Sequence, residues 1–208
     1  MYLILTASLE NKEWSNHPQK REQEYRDAIQ ETLHHLPLGI QPVVVENNGM
    51  RATWLDTIRH RGQPVPVVYT NHNSLLVHKG IKEMMDVRAV VAHVGMKGEE
   101  WVIKLTGRYP VRSPAFFEDV LAHSTEYDAF FKFFSSSTMK YETDDCILGL
   151  YALRVAPLLC FRYATMDSSL SAEQVMARYL RFSGLRIKEI QELGLHCIFS
   201  DEGGVLDV

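Results

Sequence analysis

Glu99-Glu100-Trp101-Val102-Ile103-Lys104-Leu105-Thr106-Gly107-Arg108-Tyr109-Pro110 decides how the rest of the chain is read. Trp101 to Leu105 is an apolar run broken only by Lys104, the pattern of a central strand, and Thr106-Gly107 can turn the chain sharply at its end. Lys104, Arg108 and the amides around Gly107 then stand at the strand's C-terminal edge. Open α/β sheets bind ligands there, and the charge suits a phosphate-bearing one. Taken alone, the two cations also fit solvated side chains or partners of Glu99, Glu100 or Glu118.

Working back from this stretch, the same pattern recurs three times. Tyr2 to Leu5 is an apolar run closed by the small residues Thr6-Ala7-Ser8, which let a flat ligand lie against the backbone. Pro18 opens a helix whose Tyr25, Ala28, Ile29, Thr32, Leu33 and Leu36 share one face. Val43-Val44-Val45 is β-branched and continuous, as in a strand covered on both faces, and ends in Glu46-Asn47-Asn48-Gly49. Met50, Trp54 and Ile58 mark a short helix. Pro64 to Tyr69 is a third strand, ending in Thr70-Asn71-His72-Asn73. Ser74 caps a segment with Lys79-Gly80 in its first turns and Ile81, Met84, Met85 and Arg88 on one face. The order β-α-β-α-β-α-β predicts a parallel sheet with right-handed crossovers.

Downstream the signals change. Pro114 to Leu121 reads as a helix, Asp128 to Phe134 as a strand with aromatic side chains on both faces, and Cys146 to Leu153 as another strand. Arg154 to Phe161 is a short helix, Ser171-Ala172-Glu173 opens a longer one, and Leu195 to Phe199 is a last strand. With 208 residues and no linker or repeat, residues 1–208 are expected to form one domain.

A net charge of −4 argues against a protein that coats nucleic acid. Cys146, Cys160 and Cys197 show no paired spacing, which points to a reducing compartment, and the first residues are too short an apolar run for a membrane span. A cytoplasmic location is the expectation.

Thr6-Ala7-Ser8, Glu46-Asn47, Asn71-His72-Asn73 and Thr106-Gly107-Arg108 all follow strand cores on the C-terminal side, so a parallel sheet brings them to one crevice. Amides and a carboxylate near the first two strands suit a base and ribose, and cations near the fourth suit phosphates. A nucleotide fits. The chain has no GxGxxG after its first strand, no GxxxxGK[ST] and no Gly-x-Ser-x-Gly, which removes support from dinucleotide-binding, P-loop and esterase readings. Trp14, Trp54 and Tyr109 are candidates for stacking on a base or sugar, and Tyr109 alone lies in the crevice.

Thr-Ala-Ser after the first strand, Val-Val-Val-Glu-Asn-Asn-Gly, the Lys79-Gly80 helix and Lys104-Leu105-Thr106-Gly107-Arg108-Tyr109 together resemble small GT-A-fold glycosyltransferases. The likeness runs over about residues 1–160 and is nearest to the glycosyltransferase domains of large algal viruses such as the chlorella viruses. It implies an α/β fold with a Rossmann-type, mostly parallel central sheet flanked by helices. About residues 1–110 would form the nucleotide-sugar-binding half and about 111–208 a smaller mixed-sheet acceptor half. The activity implied is transfer of a sugar, UDP-linked by preference, from a nucleoside diphosphate to a glycan or protein-linked acceptor. The donor-binding residues would be Thr6, Ala7, Ser8, Glu46, Asn47, Asn71, Lys79, Lys104, Thr106, Gly107, Arg108 and Tyr109.

GT-A enzymes usually carry Asp-x-Asp beside the donor diphosphate, holding Mn²⁺ or Mg²⁺; here Lys104 to Arg108 fills that place. Either Lys104, Arg108 and Lys79 replace the ion, or Asp144 and Asp145 hold one. For an inverting transfer Asp144, Asp145 and Glu173 are the candidate bases, Asp145 and Glu173 ahead of Asp144, which also fits a turn. Two other readings share the residues: a sugar-phosphate nucleotidyltransferase, which would normally show a Gly-rich loop after the first strand, and a non-catalytic nucleotide-sugar-binding module.

Overall fold

The computed structural model describes residues 1–10, 18–75, 78–162, 170–198 and 204–208; Trp14 lies outside them. The chain opens with β1 (Tyr2–Ala7), α1 (Pro18–His35) and β2 (Gln41–Glu46). A one-turn 3₁₀ helix, Trp54–Thr57, is followed by the short hairpin β3 (Arg59–His60) and β4 (Gln63–Pro64), then β5 (Val67–Tyr69) and a second 3₁₀ turn, His72–Ser74. Next come α2 (Lys79–Val94), β6 (Trp101–Thr106), α3 (Ala115–His123), β7 (Ala129–Phe131), β8 (Leu150–Arg154) and α4 (Val155–Cys160). The last described elements are α5 (Ala172–Phe182), β9 (Ile187–Glu189), β10 (His196–Ile198) and β11 (Val205–Asp207).

Seven strands form one sheet in the order β5-β2-β1-β6-β8-β7-β9. β5, β2, β1 and β6 are parallel, with Ile4 opposite Val43 and Lys104. β8 runs antiparallel between β6 and β7, and β9 is parallel to β7. The sheet is therefore mostly parallel, and β6 is its middle strand. Alternation divides the core. Leu3, Leu5, Ile103 and Leu105 face a cluster with Tyr25, Ile29, Leu33 and Phe116, whereas Ile4, Val43, Val45 and Val102 face Met84, Val87, Val91 and Met176. Both faces of β1 and β6 are thus closed to water, which explains their apolar runs, that of β6 interrupted only by the buried Lys104. Phe130 lies edge-on to Trp101 at 5.4 Å on one face, and Phe131 stacks on Tyr151 at 4.8 Å on the other.

Four local expectations change. The helix expected over Met50, Trp54 and Ile58 is a single capped turn in which Thr53 and Asp56 form a capping box. Met50 is 88% exposed, and left-handed Arg61 and Gly62 turn the chain into the hairpin instead. Ser74 does not cap α2, because its hydroxyl is spent on Asn71 O at 2.6 Å; His78 Nδ1 accepts the Gly80 N–H in its place. Pro64 and Pro66 bring no N–H, and the third strand pairs only from Val67. Cys146 to Gly149 precedes the ladder of β8, with the Ile147 N–H donated to Lys132 O.

Candidate functional site

The chain leaves β1 through α1 for β2 on one side and reaches β6 through α2 on the other, so the strand order reverses between β1 and β6. Such a reversal opens a crevice at the C-terminal ends of the strands. The Gly107 N–H donates to Thr6 O at 2.9 Å across it. A Cβ on Gly107 would stand 2.9 Å from that oxygen and 3.3 Å from Tyr25 Cε1, so only glycine allows the approach. The neighbouring strand ends are laced the same way. Asn47 N–H meets Ala7 O at 3.3 Å, Thr70 N–H meets Glu46 O at 2.8 Å, and Asn73 N–H meets Asn47 O at 3.0 Å. Thr6, Ala7, Ser8, Glu46, Asn47, Asn71, Thr106, Gly107 and Arg108 therefore gather along one rim.

At the switch point Arg21 and Arg108 lie within range of each other's charge, with Glu24 acting on both. Arg108 places Nη1 3.3 Å from Glu24 Oε2, and Arg21 donates Nε–H to Ser8 O at 2.9 Å, while the Tyr25 hydroxyl accepts the Ser8 N–H. Burial lowers the Arg21 pKa and the Arg108 charge lowers it further, against Tyr25 and Glu24. Arg21 escaped the sequence reading. Its signal was its place in the first turns of a helix that starts at the ligand edge of the sheet.

Several expected ligand groups are occupied within the chain. The Glu46 carboxylate is fully buried and accepts from Leu9 N–H at 3.2 Å, Asn48 N–H at 3.1 Å and Arg51 Nη1 at 3.0 Å, which ties down the loops after β1 and β2. Burial raises its pKa against these bonds. Lys104 is only 2% exposed and spends all three donors, on Glu83 Oε2, Thr106 Oγ1 and Leu148 O, each at 2.8 Å. It braces the floor of the crevice. Tyr109 packs its ring against Gly149, where a Cβ would lie 3.0 Å away. Lys79 is exposed at the start of α2, and Asn71 is exposed on the rim. Asp86, also missed in sequence, is buried and holds three groups of the β2 and β5 ends: Thr70 Oγ1 at 2.7 Å, Asn47 Nδ2 at 3.0 Å and His72 Nδ1 at 2.7 Å.

Asp145 and Glu173 both lie beside Cys146, whose Sγ–H donates to Glu173 O at 3.2 Å. Asp145 is 8% exposed, accepts Cys146 N–H at 2.9 Å and bonds Ser135; burial raises its pKa, and the charges of Glu173 and Glu142 add to the rise. The capping box of Ser171 and Gln174 sets the start of α5. Gly80 lets that start abut α2, because a Cβ there would lie 2.2 Å from Ala172 Cβ. Asp144 instead pairs with Arg181 on the surface, so it and Asp145 do not fit a shared ion. Among the described residues no three His, Cys, Asp or Glu side chains form a metal-holding group.

No family model matches the chain, and no curated protein matches it. Solved structures do. A nucleotide-diphospho-sugar transferase from Desulfovibrio desulfuricans G20 is 12% identical with a TM-score of 0.58, over 91% of this chain and 78% of that one. A mannosyltransferase from Pyrobaculum calidifontis in complex with GDP-Man and Mn²⁺ is 11% identical with a TM-score of 0.59, over 92% of this chain and 55% of that one. The fold is that of nucleotide-sugar transferases. A CMP:2-keto-3-deoxy-manno-octonic acid synthetase complexed with CTP shares it, at 12% identity and a TM-score of 0.53, over 91% of this chain and 89% of that one.

Proposed function

We propose that the protein is a glycosyltransferase that moves a sugar from a nucleoside diphosphate, UDP by preference, to a hydroxyl of a glycan or protein-linked acceptor. The observation that carries this is the reversal of strand order between β1 and β6, where Gly107 N–H reaches Thr6 O and Arg21 and Arg108 stand on the same rim. Glu24 offsets part of this positive charge, and a diphosphate leaving group is an anion that cations on this rim would hold. The nucleoside would lie along the β1, β2 and β5 ends, with Ser8, Asn47 and Asn71 beside it, and Lys79 adds charge from the start of α2. Thr6, Thr106 and Gly107 shape the backbone beneath the phosphates, while Lys104 and Glu46 act through the groups they hold.

In this reading Asp145 and Glu173 would serve the acceptor. A carboxylate made more basic by burial and by the charges of Glu173 and Glu142 suits removal of a proton from the acceptor hydroxyl as the sugar–phosphate bond breaks. Mn²⁺, which accompanies GDP-Man in the Pyrobaculum enzyme, or Mg²⁺ would neutralise the leaving diphosphate when bound, but the described residues offer no group of three His, Cys, Asp or Glu side chains to hold it. No described helix is long and apolar enough to cross a membrane, and Cys146, Cys160 and Cys197 are unpaired, which supports a cytoplasmic setting. The Lys-x-Thr-Gly-Arg-Tyr residues support kinship with the algal-virus enzymes.

Calorimetric titration with UDP, GDP and their sugars tests the reading. Binding of one nucleotide series, lost at least tenfold in Arg21→Ala with the fold intact, supports it. No binding by any of them, with or without Mn²⁺, ends it. The likeness to the CTP-bound synthetase favours a second reading, activation of a sugar phosphate, which would release pyrophosphate from a nucleoside triphosphate.

A further inference from the structure

Glu83 is a charged group that the donor reading above does not use. It stands on the second turn of α2 and places Oε2 2.8 Å from Lys104 Nζ. Its other oxygen has no partner among the described residues. The side chain is 24% exposed, whereas that of Lys104 is 2% exposed. The pair is therefore lopsided, with the cation sealed beneath the sheet edge while the Glu83 side chain keeps some contact with solvent.

The charges around it fix its state. Burial favours the proton, but Lys104, Lys79 and Arg108 outweigh this and hold the carboxyl below its usual pKa. An ionised carboxylate accepts hydrogen bonds and donates none. It repels phosphate oxygens, so the part of a ligand that meets it must be neutral and rich in O–H donors. Arg108, one of the charges acting on Glu83, belongs to the proposed diphosphate site. The portion of a nucleotide sugar that follows the diphosphate and carries hydroxyls is the sugar.

We infer that Glu83 is a specificity-determining residue whose outward oxygen accepts a hydroxyl of the donor sugar, with Lys104 holding the carboxylate in place. This rests on the donor-site reading above. It adds that the sugar, and not the nucleotide alone, is bound on the α2 side of β6.

The test compares nucleoside diphosphate with nucleotide sugar in calorimetric titrations, using UDP against UDP-glucose, UDP-galactose and UDP-N-acetylglucosamine, and GDP against GDP-mannose. The wild-type chain binds one sugar form more tightly than its bare diphosphate. In Glu83→Gln, which still offers Lys104 an acceptor, that preference falls at least fivefold while bare diphosphate affinity changes by less than twofold. Glu83→Asp keeps the charge for Lys104 but withdraws the oxygen, and loses the same preference even if Glu83→Gln fails to fold. Equal loss for sugar and bare diphosphate in a folded variant, an unchanged preference, or no sugar preference in the wild type overturns the inference while leaving the nucleotide site standing. Failure of every diphosphate to bind the wild type overturns both.

Discussion

Gly107 and Thr6 join the two central strands beyond the end of their ladder, by an N–H to O bond of 2.9 Å at the point where the strand order reverses. Gly107→Ala would press a methyl against that same oxygen at 2.9 Å and against the Tyr25 ring. The neighbour on one side is backbone and cannot yield. The expected outcome is a loss of about 1–3 kcal/mol in chemical denaturation, the usual range for an overpacked site. An alanine variant as stable as the wild type would show that β1 and β6 can part here at no cost.

Gly80 gives a sharper case because two effects oppose each other. In an exposed helix, glycine to alanine gains about 1 kcal/mol. Here the new Cβ would fall 2.2 Å from Ala172 Cβ, and α2 and α5 would have to separate. Gly80→Ala is expected to lower the melting temperature, and Gly80→Ala with Ala172→Gly to recover most of the loss. Failure of the second change to rescue the first would remove the contact as the cause.

Much of the parallel half was legible because β1, β2 and β6 are buried on both faces, so each writes a continuous apolar run between polar ends. β9 and β11 were not, since Ile187–Glu189 and Val205–Asp207 are three-residue edge strands, too short to show an alternation. The rim residues could be read as a set because parallel strands bring their C-terminal ends together, whatever the loop sequences. What each side chain does there depends on partners distant in the chain. Nothing around Lys104 announces Glu83, 21 residues earlier, or Leu148, 44 residues later. Glu46 reads as a ligand group until the amides of Leu9 and Asn48 are seen to occupy it. Asp86 sits among apolar residues of α2 and gains meaning only when β2 and β5 deliver Asn47, Thr70 and His72 to it.

The Lys104–Glu83 pair predicts an asymmetry in stability. Lys104→Met removes the buried cation and leaves Glu83, Thr106 Oγ1 and Leu148 O without their shared donor. Removing one partner of a buried pair leaves the other charge uncompensated, a cost that the solvent contact of Glu83 reduces, while replacing both partners with apolar groups is often neutral. Lys104→Met/Glu83→Leu should therefore be more stable than Lys104→Met alone by urea denaturation. Additive losses would mean that the two side chains do not stabilise each other.

Asp145 predicts a dependence on pH whose sign separates a catalytic carboxylate from a scaffold one. Burial, with the charges of Glu173 and Glu142, raises its folded pKa above the usual 3.8. Between 3.8 and that raised value the folded chain binds more protons than the unfolded chain, so this group's contribution to stability falls as pH rises through the window and stays lost above it. Asparagine does not titrate, yet its Oδ1 can still accept the Cys146 N–H. The melting temperature of Asp145→Asn relative to wild type should therefore climb as pH rises from 3.8 through that raised value and favour the variant above it. If Asp145 is the base, the same variant binds donor with unchanged affinity and loses turnover by about 10²-fold or more. A variant less stable than wild type at pH 7, with turnover intact, would make Asp145 a structural acceptor for the Cys146 and Ser135 bonds and leave Glu173 as the group to examine for proton removal.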